Sequence, residues 1–231
     1  MTITDSTRTI STNTDTEPSD WTRLGALGGV VFVVVSVIAN FIPGTAPASD
    51  ASAATITTYF RDHDGAIKVQ LFVSGLAIVF LLWWFGTLWR AMTRTSHQRP
   101  QLVAVAAVAF PIGIGLAALS GVFTATAAAR VDTIGDGTQL LYTLSLVAGS
   151  TLGFPMFAWV AAVCVLNSRG DIVPVWTNYV GWVAAIAFLA SGLGVVSDAN
   201  VYAVIGLAAF LVWCVWLVCV GITMWRRSSV I

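Results

Sequence analysis

Six long stretches of this chain carry no charged side chain, and they dictate what it can fold into. They run from Leu24 to Ser49, Val69 to Trp89, Pro100 to Ala129, Gly137 to Ser168, Ile172 to Ser197 and Ala199 to Trp225. A hydrocarbon core of about 30 Å is crossed by about 20 apolar helical residues, and every stretch is long enough. Inside lipid each backbone N–H and C=O must be satisfied within the protein, which a helix achieves by itself. A β-barrel would instead show short segments of alternating polarity, and Val30-Val31-Phe32-Val33-Val34-Val35 does not alternate. The reading is all-α: a polytopic membrane protein with six transmembrane helices, over 23–42, 67–91, 101–128, 138–166, 175–197 and 200–225.

Composition closes off the alternatives. Charged residues make up 10% of the chain, against about 25% in soluble domains, and 57% is hydrophobic. The formal net charge is zero, whereas a nucleic-acid binder needs a basic face. Soluble enzymes, disordered regulators and nucleic-acid binders are excluded together. The implied partner is the lipid bilayer.

Arginine and lysine in the flanking loops set the orientation. Arg8, Arg23, Arg90, Arg94, Arg99, Arg169, Arg226 and Arg227 fall on one side, and Arg61, Lys68 and Arg130 on the other. Both termini are therefore expected to be cytoplasmic. The opposite loops are acidic, with Asp50, Asp62, Asp64, Asp132, Asp136 and Asp198. Residues 1–22 are rich in Thr, Ser, Asp and Asn, and read as a disordered cytoplasmic tail ahead of a transmembrane domain over 23–227. Ala46-Pro47-Ala48 resembles a signal-peptide cleavage site. The acidic tail and long apolar run favour retention of the first span instead. Near 50–62, Ala53, Ile56, Tyr59 and Phe60 recur at helical spacing, with Ser49 or Asp50 as cap. This amphipathic helix is expected on the outer membrane surface or docked over the bundle.

Chemistry-bearing residues are sparse. Cys164, Cys214 and Cys219 fall inside spans and read as small buried hydrophobes. His63 and His97 lie on opposite sides, and Asp62-His63-Asp64 reads as a solvated turn rather than a metal site. No ionisable residue sits deep in a span, which disfavours proton-coupled pumps and voltage sensors. The serines have no base nearby, which disfavours an intramembrane hydrolase. No cofactor, metal site or catalytic set is expected. Ser191-Gly192-Leu193-Gly194 reads as close helix packing, and Pro111 and Pro155 as helix bends.

Aromatic and polar residues segregate along the spans. Trp21, Trp89, Trp176 and Trp225 adjoin cytoplasmic charges, as in an interfacial belt. Trp83, Trp84, Trp159, Trp182 and Trp216 form a second tier inward of them. The outer halves hold Ser36 and Asn40, Gln70 and Ser74, Ser120 and Thr124, and Gln139 and Thr143, each pair four residues apart on one helix face. Ser145 and Ser191 join them. Unsatisfied polar groups in hydrocarbon are costly, so all four pairs are expected to face the bundle interior. The candidate site is an outward-opening pocket lined by Asn40, Gln70, Ser74, Ser120, Thr124 and Ser145, with Arg130 and the acidic loops at its mouth. The bland alternative for these side chains is interhelical hydrogen bonding.

Arg23-Leu24-Gly25 leads into the first span and Phe41-Ile42-Pro43-Gly44 leaves it. Tyr59-Phe60-Arg61-Asp62-His63 and Leu81-Leu82-Trp83-Trp84 follow. With one lysine against ten arginines and abundant Ala and Val, this pattern resembles a loose group of uncharacterised multi-span membrane proteins of actinobacteria. The resemblance implies a bacterial plasma-membrane location and no particular activity. The functional expectation is binding or transport of a small uncharged or lipidic ligand through the outward-facing polar pocket. The alternative is a structural or interaction subunit of a membrane complex without ligand chemistry, and a membrane enzyme comes third.

The topology has a direct test. In a cysteine-free background, a single cysteine at Ser52 should react with an impermeant thiol reagent added outside the cell, and one at Ser6 or Ser229 should not. The reverse pattern would overturn the orientation.

Overall fold

The computed structural model describes residues 20–95, 99–135, 137–169, 172–196 and 200–227; the tail at 1–22 lies almost wholly outside them. The described residues form eight α-helices and no strand: α1 (Asp20–Phe41), α2 (Ala53–Asp62), α3 (Asp64–Thr95), α4 (Pro100–Ile134), α5 (Gly137–Thr151), α6 (Gly153–Leu166), α7 (Thr177–Ser191) and α8 (Asn200–Arg227). Short 3₁₀ turns follow α6 and α7. Six stretches are long and apolar enough to cross a membrane: α1, α3, α4, α5 with α6, α7 with its 3₁₀ turn, and α8. The chain is thus an all-α, multi-pass membrane protein. Exposed apolar side chains such as Ile38, Phe72, Val108, Val122, Val183, Ile186, Val204 and Leu207 cover its flank, as a lipid-facing surface requires.

The spans form a closed ring in chain order. α1 packs on α3, α3 on α4, α4 on α5 and α6, α6 on α7, α7 on α8, and α8 returns to α1. Small residues set the closest crossings. A Cβ on Gly28 would lie 2.6 Å from the Phe80 carbonyl oxygen, and one on Gly221 would lie 2.7 Å from that of Ala26. The α1–α3 and α8–α1 backbones therefore touch where glycine removes the side chain.

Bulky aromatics fill one half of the ring. Trp84, Trp159 and Trp216, from α3, α6 and α8, are all but fully buried. Their ring centroids lie 5.7 to 6.3 Å apart, edge to face. Phe85 and Phe110 stack at 3.9 Å beside Trp159. Two of the three sit in notches cut by glycine: a Cβ on Gly29 would come within 2.8 Å of the Trp84 ring, and one on Gly181 within 2.8 Å of the Trp216 indole nitrogen. The second tier expected from sequence therefore divides. Trp84, Trp159 and Trp216 plug the centre, whereas Trp83 and Trp182 are 41% and 38% exposed on the flank. Trp83 immediately precedes Trp84, and successive helical side chains point about 100° apart, so one neighbour faces in and the other out.

The two prolines behave differently. α4 continues through Pro111, while the fourth span breaks at Leu152 into α5 and α6, three residues before Pro155. Pro155 has no N–H for the Thr151 carbonyl, which weakens the ladder there. The break is also wedged from outside. Gly153 lies against the Phe188 backbone of α7, and a Cβ on Gly192 would meet the Phe154 ring at 3.0 Å. Ser191-Gly192-Leu193-Gly194 is thus the close-packing segment its composition suggested.

α2 is docked, not spread on the membrane. Ile56 and Phe60 are buried with Ile67, Ala127, Ala128, Val131 and Tyr142. α4, at about 52 Å for its 35 residues, extends beyond a hydrocarbon core and supplies three of these partners. The cap is Ser52, whose hydroxyl accepts from the Thr55 N–H at 3.2 Å, rather than Ser49 or Asp50. His63 closes the helix; its ring stacks on Tyr59 at 4.7 Å. At the opposite end, Asn167 is fully buried and accepts from the Ile172 and Val173 N–H groups, while its amide donates to Asn178. That clasp holds the α6–α7 turn.

A Cβ at Gly28 must push α3 away, while one at Gly86 meets open space. Gly28→Ala should therefore lower the thermal stability of the detergent-solubilised protein by about 1–3 kcal/mol. Gly86→Ala should raise it by about 0.5–1 kcal/mol through helix propensity alone. Melting curves of the two variants should shift in opposite directions.

Candidate functional site

The aromatic plug occupies only part of the ring. Toward the α2 end the spans enclose two adjoining chambers. The upper one, next to α2, has a volume of about 460 Å³. The lower one, between it and the plug, has about 300 Å³. Asn40, Gly149, Ser191 and Gly206 line both. There is space at glycines 149 and 206, where a Cβ would meet its nearest neighbour only at 3.9 Å and 3.7 Å.

Six of the seven residues singled out in the sequence line these chambers. Gln70, Ser120, Thr124 and Ser145 line the upper one, Ser74 the lower one, and Asn40 both. Ser36, the partner of Asn40, also faces the lower chamber. Two expectations fail. Gln139 and Thr143 are exposed on the flank of α5. The Thr143 hydroxyl donates to the Gln139 carbonyl oxygen at 3.0 Å, so the helix satisfies it without a neighbour. Arg130 is exposed and lines neither chamber. The described acidic residues do not line the upper chamber either: Asp132 pairs with Arg61 at 3.0 Å, and Asp64 with Lys68; Asp136 and Asp198 lie outside the described residues. Pro43, Gly44, Ala46 and Tyr59 form the rim of that chamber instead.

The polar wall divides into satisfied and free groups. Ser120 donates to the Ser145 carbonyl at 2.8 Å and so ties α4 to α5, Ser145 donates to Tyr142, and Thr124 donates to Ser120. The Asn40 amide donates to the Ser36 carbonyl at 2.8 Å, leaving its Oδ1 free to accept. Among the described residues nothing hydrogen-bonds the Gln70 amide or the hydroxyls of Ser36, Ser74, Ser150 and Tyr202. These groups offer donors and acceptors, and among the described residues no ionisable acid or base of the Asp, Glu, Lys, Arg or His type lines either chamber. The lower chamber is apolar beneath its serines, walled by Ile78, Leu81, Ile114, Leu152 and Met156 and floored by Phe32, Phe188, Phe210 and Trp213. Phe32 and Phe188 meet Trp213 edge to face at 5.6 and 6.2 Å.

Three tyrosines that the sequence did not mark as site residues, Tyr59, Tyr142 and Tyr202, all line the upper chamber. Tyr59 donates to the Pro43 carbonyl at 3.4 Å, and Tyr142 to that of Pro47. Together they hold the α1–α2 connection over the chamber. Burial pushes the Tyr59 phenol above its ordinary range, so it stays a donor at neutral and mildly alkaline pH. The signal available in the sequence was Tyr59 itself, on the apolar stripe of α2 yet carrying a hydroxyl that needs a partner.

The cysteines pack as small side chains: Cys164 and Cys214 belong to the apolar core. Among the described residues no three His, Cys, Asp or Glu side chains gather as metal ligands. No family model matches the sequence, and neither a curated protein nor a solved structure is found to be similar to it.

Removing the Tyr142 hydroxyl frees the Pro47 carbonyl and loosens the connection. Tyr142→Phe should cost about 0.5–1.5 kcal/mol in thermal stability. A cysteine placed at Ala46 should then be alkylated faster in that background than in the parent protein. An unchanged labelling rate would show that the bond does not restrain the segment.

Proposed function

We propose that the chain is a multi-pass protein of the bacterial plasma membrane, with both termini cytoplasmic, that binds a small uncharged or lipidic ligand in the chamber beneath α2. The arginine bias supports this orientation, with the α2 end outside. One observation carries the binding reading: polar groups without protein partners converge on a cavity within an otherwise apolar bundle. A membrane protein gains nothing in packing from an open chamber, because the adjoining walls forgo van der Waals contact. The volumes fall within the range of small-molecule sites, about 300–1,000 Å³. The absence of fixed charge along the walls favours an uncharged ligand over an ion.

Filling the junction tests this. Gly149→Leu and Gly206→Leu place a branched side chain where the chambers meet. Protein purified from native membranes should carry a neutral or lipidic compound, near one per chain, that organic extraction releases and mass spectrometry detects. Both variants should carry much less while melting near the parent temperature. Identical extracts from all three proteins would remove the binding reading, and a structural or interaction subunit would replace it.

A further inference from the structure

The two chambers differ in chemistry, and the order in which they stack selects one kind of molecule. The upper chamber presents the Gln70 amide, the Asn40 Oδ1 and the Tyr202 hydroxyl without protein partners. The lower chamber continues directly from it through Asn40, Gly149, Ser191 and Gly206, and ends on aromatic rings. On α8 the joined space reaches from Tyr202 to Trp213, about 16 Å along the axis at a rise of 1.5 Å per residue. Polarity therefore falls from the α2 end toward the middle of the bundle, in the same sense as in one leaflet of a bilayer. We infer that the site takes a single-chain amphipath: an uncharged hydroxyl- or amide-bearing head in the upper chamber and one hydrocarbon chain in the lower, its end against Trp213. This rests on the binding reading above and narrows it to a ligand class and an orientation.

Each part of the description has a cause. The head is uncharged because no described residue of either chamber offers a counter-charge, and a buried unpaired ion is strongly disfavoured. The head hydrogen-bonds because Gln70, Asn40 and Tyr202 offer both donors and acceptors. There is one chain because about 300 Å³ lies at the small end of ligand-site volumes. The chain points to Trp213 because the serines of the lower chamber, Ser36, Ser74 and Ser191, sit toward its junction end, and below them the lining is aliphatic and aromatic, with the unpartnered Trp213 indole N–H its one polar group among the described residues.

Trp213 also reports on occupancy. It is 3% exposed, so quenchers dissolved in the surrounding lipid do not reach it, whereas a chain end in the lower chamber does. Monoacylglycerols brominated at the chain terminus should be titrated into the full-length protein in nanodiscs while tryptophan fluorescence is read. The expected result is a saturable quenching component that disappears in Trp213→Phe and weakens when bromine sits next to the head. Longer chains should bind more tightly until the chamber is filled. The matching fatty acid at neutral pH should bind on the order of tenfold more weakly or worse. Ala117→Phe narrows the lower chamber while keeping every tryptophan, and should abolish the dependence on chain length. If the brominated chain never quenches Trp213 while free glycerol or the head of the monoacylglycerol still raises the melting temperature, the upper chamber binds ligand but the two-chamber inference is wrong. If the fatty acid binds as well as the monoacylglycerol, the uncharged-head assignment is wrong. If neither glycerol nor any monoacylglycerol binds, the inference falls, and the extraction experiment on the glycine variants decides the broader reading on its own.

Discussion

A ring of six helices leaves a central space that ordinary aliphatic side chains cannot fill, and the structure depends on how that space is closed. Here three tryptophans close it. Trp84, Trp159 and Trp216 approach from α3, α6 and α8 and meet edge to face, so positive ring edges lie against negative ring faces. Lipid offers no hydrophobic drive toward the bundle centre, so packing and dipolar contacts must hold the helices together. Large flat rings supply both. The glycines at 29 and 181 supply the notches that let the rings lie flat against neighbouring backbones. The plug and the small-residue crossings are one device: without the glycines the tryptophans would not fit, and without the tryptophans the ring would be hollow throughout.

The plug stops part-way, and the break in the fourth span is part of the reason. α6 carries Trp159 and Met156 into the centre, whereas α5, beyond Leu152, presents Gly149, Ser145 and Ser150 to the interior. Bulk gives way to small polar residues on the α5 side of this interruption. The 3₁₀ turn after α7 packs against the same break through Gly192 and Gly194. The two interruptions thus meet through Gly153, Phe154, Ser191 and Gly192, while Leu193, Val195 and Val196 of the turn are exposed on the flank.

The six spans were legible because lipid imposes a demand that a few charges would violate, and the charge-free runs are a direct record of it. Asn40, Gln70, Ser74, Ser120, Thr124 and Ser145 were legible as cavity-lining positions for a related reason: polar groups four apart share a face. The same spacing misled at Gln139 and Thr143, because a threonine hydroxyl reaches the carbonyl four residues back and needs no interior. Spacing cannot separate an interior polar face from a self-satisfied one. The different behaviour of Pro111 and Pro155 was illegible too, since the helix yields only where a neighbour, here Phe188 and the Gly192 turn, wedges the weakened ladder. Arg130 was placed at the mouth by chain position alone, and the rim went instead to a connection held by tyrosines whose acceptors are backbone carbonyls. The Asn167–Asn178 clasp depends on a turn geometry that no residue pattern announced.

Every ionisable pair seen near the α2 end, Arg61 with Asp132 and Lys68 with Asp64, is tied up between charged partners at the protein surface. The chambers beneath are left to amides and hydroxyls. Had a charge lined the upper chamber, its field would act across a low-dielectric interior and would favour an ion of opposite sign. Its absence removes that preference and leaves hydrogen bonding and shape to discriminate. Hydrogen-bonding sites select by leaving buried partners unpaired when the wrong molecule enters. Gln70 and Asn40 sit on different helices, α3 and α1, which are locked together at Gly28. Under the binding proposed above, a head that bridges those two amides would draw on both helices of this close crossing.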